Sequence, residues 1–134
     1  MVNHVQPAYK PISRQTATRK MMKRYALRKK ELMDYFQKND KIQVSICSDI
    51  WSDHWQNHSY MGVTCHWIED RFVLHKRVLA FRVFDEPHIA RNISHVILSI
   101  LQEYRLVQRV FSIGFDNASA NTASIQELIT YCRP

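Results

Sequence analysis

Apolar residues follow two different rhythms along this chain. Met21, Met22, Tyr25, Leu32, Met33 and Phe36 recur at spacings of three, four and seven, which gathers them on one stripe of a helix. Thr16 or Thr18 can cap that helix, and it is expected to run to about Gln37, where Asn39-Asp40 breaks the pattern. Residues 1–16, with Pro7 and Pro11, read as extended. From Ile42 to Ile46 every second residue is apolar, so residues 42–51 read as a strand. Residues 52–58 are polar and read as a loop. Strands are expected over Ser59–Ile68 and Arg71–Phe81, and the short Glu69-Asp70 turn makes them an antiparallel hairpin. Beyond Pro87 the helical rhythm returns over Ile89–Tyr104, with Ile89, Ile93, Val96, Ile97, Ile100 and Leu101 as its apolar face. Arg109–Phe115 reads as a buried strand, and Asn117 opens a last helix through Ile125, Leu128 and Ile129.

The predicted order is α-β-β-β-α-β-α, led by a basic helix. That order implies an α/β fold with a mixed sheet. Three meandering strands, a helix and a returning strand describe the first part of a ribonuclease-H-like fold. In such a fold the fourth strand lies beside the first, so carboxylates at one level on those two strands would stand about 5 Å apart. Two regions are expected: a basic arm and helix over 1–40, and the sheet-bearing body over 41–134. Without a fifth strand the fourth would leave an open apolar edge, which predicts poor solubility or rescue by a partner strand.

Charge sharpens this division. The chain carries a net +7, but residues 1–38 hold ten Lys/Arg against two Asp/Glu, and residues 39–134 hold nine against ten. A basic arm before a neutral body suits a polyanionic partner such as nucleic acid; the plainer reading is a solvated helix face. No stretch approaches ~20 apolar residues, so no membrane span is expected. A secretory signal is lacking, although the basic, acid-poor start also fits a mitochondrial presequence. Cys47, Cys65 and Cys132 show no CxxC spacing and are expected to be free thiols.

Candidate chemistry rests on Asp49, near the end of the first strand, and Asp116, directly after the fourth. Two carboxylates on adjacent strands fit a divalent cation such as Mg²⁺ and its phosphoryl-transfer chemistry. The structural alternative is that both mark strand ends, with Asp116 capping the last helix. Cys65 and His66, adjacent on a strand, point to opposite faces and make no metal pair. His54 and His58 flank Trp55 in the polar loop and read as exposed; His4, His75 and His95 have no partner that sequence identifies.

Ser48-Asp49-Ile50-Trp51-Ser52 resembles the D-x-W-T-S segment that begins the catalytic domain of hAT-superfamily transposases. Asp116-Asn117-Ala118-Ser119-Ala120-Asn121 resembles their D-N-A-S-x-N segment. His66–Asp70, Leu74–Phe81 and Tyr9–Thr16 resemble, in the right order, the second strand, the third strand and the segment before the basic helix. The likeness extends to the plant zinc-finger-BED, sleeper-type transposase-like proteins.

That resemblance implies that Asp49 and Asp116 are the first two members of a D-D-E triad, with Trp51 packed beneath the first as core. Ser52-Asp53 replaces the family's Thr-Ser and places a further carboxylate near the site; His88-Ile89-Ala90 replaces its His-Thr-Gly. The triad's glutamate is expected far downstream. Glu127 lies roughly 15 Å along the last helix and reads as a solvated helix residue.

The expected protein is therefore a nuclear, transposase-derived fragment, catalytically inactive alone and binding Mg²⁺ weakly. DNA contact is expected through Lys10, Arg14, Arg19, Lys20, Lys23, Arg24, Lys29 and Lys30. A protein partner or a full-length transposase-like dimer would complete it. The alternatives are Mg²⁺-dependent DNA cleavage or strand transfer at the two aspartates, and a structural or protein-interaction relic.

Overall fold

The computed structural model of the chain describes residues 11–53, 55, 58–116 and 119–132, the side chains of 119–121 excepted. It contains α1 (Arg14–Lys38), β1 (Val44–Asp53), β2 (His58–Glu69), β3 (Val73–Val83), α2 (Ala90–Glu103), β4 (Val110–Gly114) and α3 (Ser119–Cys132). The chain forms two compact units that divide between Leu32 and Met33, inside α1.

The first unit carries most of α1. Its helix begins before the expected threonine caps, because Ser13 takes that role: its Oγ accepts the Thr16 N–H at 3.2 Å. An apolar stripe calls for burial, yet this one is largely exposed here, at Met21, Met22 and Tyr25.

In the second unit four strands form one mixed sheet in the order β3-β2-β1-β4. β1–β2 and β2–β3 are antiparallel, while β1 and β4 run parallel. Alternation places Val44, Ile46 and Ser48 of β1 and Met61, Val63, Cys65 and Trp67 of β2 on a buried face. Ile93, Ile97, Ile100 and Leu101 of α2, Leu128 of α3 and Phe36 at the end of α1 complete the core. Ile89, expected on the α2 stripe, sits at the N-cap and is exposed. The opposite sheet face stays open, with Leu74, Val78, Phe81 and Val83 exposed along β3.

The β1–β2–β3 meander differs from the sequence expectation in three respects. The polar loop is shorter, because Ser52 and Asp53 pair with Ser59 and His58 and extend the β1–β2 ladder. A cross-strand Ser52–Ser59 hydroxyl bond of 2.9 Å holds that extension. The β2–β3 turn falls later, at Asp70–Phe72, where Arg71 and Phe72 adopt φ of 64° and 60°. Two left-handed residues in succession match the right-handed twist of a tight hairpin. Lastly, a register shift opposite Val63/Thr64 leaves Leu79 as an extra residue in β3, so that Leu79 and Ala80 are both buried.

Candidate metal and nucleic-acid site

The last β1–β4 pair is Cys47 with Gly114. Asp49 and Asp116 each lie two residues beyond that pair, on parallel neighbours. Asp49 lies within β1 and Asp116 two residues past the end of β4, and both residues are exposed. Asp49 belongs to the open face with Ser45, Cys47 and Trp51, and opposes Gly62 of β2. Asp116 leaves the sheet towards α3.

Carboxylates are the donor type that a hard divalent cation takes. Among the described residues no group of three or more His, Cys, Asp or Glu is arranged to hold a metal. The further carboxylate expected near the site lies elsewhere. Asp53 is four residues further along β1, about 13 Å by strand rise, and accepts the Trp55 N–H at 2.9 Å. Glu127 is not the solvated residue expected of it: it is half-buried and accepts the Ser94 hydroxyl at 2.5 Å, tying α3 to α2.

Trp51 is not core. It is 42% exposed and lies on the same face as Asp49, its ring centroid 5.2 Å from Phe81 and 6.3 Å from Tyr60. The indole leans over Gly62, where an added Cβ would come within 3.3 Å of it. The sheet face that α2 and α3 cover is the other one, and that choice decides the exposure of Trp51.

Histidines and cysteines behave structurally. His58 Nδ1 pairs with Asp85 at 2.8 Å. His66 stays on the open face, bonded to the Thr64 hydroxyl at 3.1 Å. Cys65 faces the core, and burial pushes its thiol up to about 12. All three cysteines are free.

A cluster that sequence reasoning missed lies where α1 meets the hairpin. Tyr35 donates its hydroxyl to Glu69 and accepts the Trp67 indole N–H at 3.1 Å. His75 stacks on Trp67, with centroids 5.2 Å apart. Its Nε2 comes within 3.0 Å of Glu69 but lacks hydrogen-bond alignment, so the attraction is one of charge when His75 is protonated. The Tyr35 hydroxyl holds the Glu69 carboxyl below its ordinary range. The one advance signal was an aromatic residue beside Phe36 at the helix end.

Among the cations expected to meet DNA, helical spacing separates two groups. Arg19, Lys23 and Lys30 form one row and Lys20 and Arg24 an adjoining one, while Arg14 and Lys29 share the side of Tyr25 and Leu32. Lys29 Nζ sits 5.9 Å from the Tyr25 ring centroid. Arg28 pairs with Glu31 at 2.8 Å. Lys10, His4, His54 and the Asn117–Ala118 step lie outside the described residues.

Comparison with known proteins matches residues 47–133 to the model of the ZBED1 RNase-like domain. A Zea mays protein named "Putative AC transposase" is 32% identical over 128 residues, which are 96% of this chain and 16% of that protein. The Oryza sativa subsp. japonica protein "Zinc finger BED domain-containing protein RICESLEEPER 1" is 22% identical over 116 residues, 87% of this chain and 16% of its own length. The chain thus spans about a sixth of these curated relatives. No helix among the described residues is long and apolar enough to cross a membrane.

Proposed function

Because this chain belongs to the ZBED1 RNase-like domain family of hAT-type, transposase-like proteins, we propose that it acts on DNA in the nucleus. In this reading α1 grips the DNA backbone through Arg19, Lys20, Lys23, Arg24 and Lys30, while Asp49 and Asp116 hold Mg²⁺. Bound there, the ion would polarise a phosphodiester and favour an attacking oxygen. Among the described residues no third His, Cys, Asp or Glu joins them, so the ion binds weakly and the chain alone does not cut DNA. The fold adds its support as the opening portion of a ribonuclease-H-like arrangement. The observation that carries the reading is the register: both aspartates stand two residues beyond the terminal β1–β4 pair.

Fluorescence anisotropy with a labelled duplex, titrated against salt, tests the DNA arm. The expected affinity falls steeply with salt, and replacing Arg19, Lys23 and Lys30 by Gln makes the log–log slope shallower by about 0.9 for each cation removed. Salt-insensitive or absent binding overturns it. Manganese titration followed by electron paramagnetic resonance tests the metal arm: weak binding in the native chain, lost in Asp49→Asn and in Asp116→Asn. Mg²⁺-dependent cleavage that disappears in either variant would replace the inactive reading with the enzymatic one.

A further inference from the structure

We propose that a groove on the open sheet face, beside the N-terminal half of β1, seats a single-stranded DNA segment leading to Asp49 and Asp116. This rests on the DNA-directed reading above and names the form of DNA and its path. The groove has a volume of about 550 Å³, with Lys41, Gln43, Ser45, His66, Leu74 and Phe111 among its lining. Ser45 alternates with Cys47 and Asp49 on the same face of β1. The groove therefore opens on the face that carries Asp49. Four residues of strand, about 13 Å, separate Ser45 from Asp49, a span of a few nucleotides.

The chemistry of the lining selects the occupant. No carboxylate lines the groove among the described residues. Lys41 is exposed on it, and Lys76, also exposed, stands opposite His66 in the β2–β3 register. Hydroxyls form part of the floor, where Ser112 donates to Ser45 at 2.8 Å across the β1–β4 pair. Phe111 rises at the edge, 75% exposed. The lining itself is mostly apolar, through Ile42, Trp67, Ile68, Leu74 and Phe111, with Lys41 among them; the lysines suit a phosphate backbone, and exposed apolar and aromatic surface can stack only on a base that is unpaired. The aromatic patch of Trp51, Tyr60 and Phe81 lies on the same face and borders Asp49 through Gly62, at the far end of the path from the groove.

The test uses the full chain with oligo(dT) and with a duplex of equal length, both titrated against salt. Lys41→Gln combined with Lys76→Gln should make the single-strand slope shallower by about 1.4, two contacts at ~0.7 each. Phe111→Ala should weaken single-strand binding about tenfold, Phe111→Tyr should restore it, and duplex affinity should hold. Photo-crosslinking of 5-iodouracil-substituted oligo(dT) should place crosslinks at Phe111 or His66. Because the three substituted side chains are exposed, unchanged circular dichroism is expected throughout. Crosslinks confined to α1, or single-strand affinity unaltered in both variants while duplex binding persists, overturn the groove and leave the DNA reading standing. Equal losses on both DNAs overturn the single-strand preference. Absence of binding to either DNA removes both proposals.

Discussion

Arg109 and Phe36, one at the threshold of β4 and the other in the last turns of α1, are locked together. The guanidinium Nη1 donates to the Phe36 carbonyl at 2.8 Å, and the same group lies 5.6 Å from the Phe36 ring centroid. Nη2 reaches the Asn39 carbonyl at 2.6 Å and Nε the Ile42 carbonyl at 2.8 Å. A single side chain thus caps the Phe36 carbonyl in the last turn of α1 and ties it to the Asn39 and Ile42 carbonyls of the segment that follows, with positive charge at the negative end of the helix dipole.

Arg109→Met should therefore destabilise the second unit by about 2–3 kcal/mol, since charged hydrogen bonds are lost and part-buried carbonyls are left open. Arg109→Lys should recover only part of this, because an ammonium lacks the planar fork that spans three carbonyls. Urea denaturation of the two variants checks the ranking; equal loss would mean that charge alone matters.

Acid should loosen the fold for a traceable reason. The Glu69 carboxyl is held low first by the Tyr35 hydroxyl, and the Asp85 carboxyl first by the Ser59 N–H and then by His58. Depressed folded values mean that the contribution is present above the ordinary carboxylate range, about pH 4, and is lost as pH falls through the folded values. Tyr35→Phe should return Glu69 towards its ordinary range, as read by carboxyl NMR titration. Glu69→Gln with Asp85→Asn should flatten the acid limb of a stability–pH curve.

Relief of the β2–β3 turn should stabilise. Phe72 holds φ of 60° with its side chain 91% exposed, so the ring contributes little burial while its Cβ strains the left-handed conformation. Phe72→Gly is expected to raise stability by about 1 kcal/mol in equilibrium unfolding, and Phe72→Val to lower it.

Thiol reactivity should separate the cysteines. Cys47 is exposed on the open face, whereas Cys65 and Cys132 are buried and both thiols are pushed upward by burial. A disulfide reagent at neutral pH should label Cys47 in the native chain and reach Cys65 and Cys132 only on unfolding. Rapid native labelling of Cys65 would show that the sheet's covered face opens readily.

The pairing of β1 with β4 shows where reading the chain succeeds. The fourth strand is expected beside the first, and it pairs there in parallel from Val44–Val110 to Cys47–Gly114. Trp51 shows where it fails. Period-two alternation puts Trp51 with Asp49 and apart from Ile46 and Ser48, yet it does not say which of the two faces the helices cover.

The sequence by itself determined the local rhythm: where strands and helices lie, that cations crowd α1, and which motifs flank the aspartates. Only the tertiary structure decided that the aromatic face stays open, that Glu127 ties α3 to α2, that Phe36 belongs with the sheet, and that Arg109 holds the end of α1. The reason is physical. Backbone periodicity is fixed by neighbours a few residues away, whereas burial and capping depend on groups brought together from positions 67 to 73 residues apart, as Arg109 is from Ile42 and Phe36.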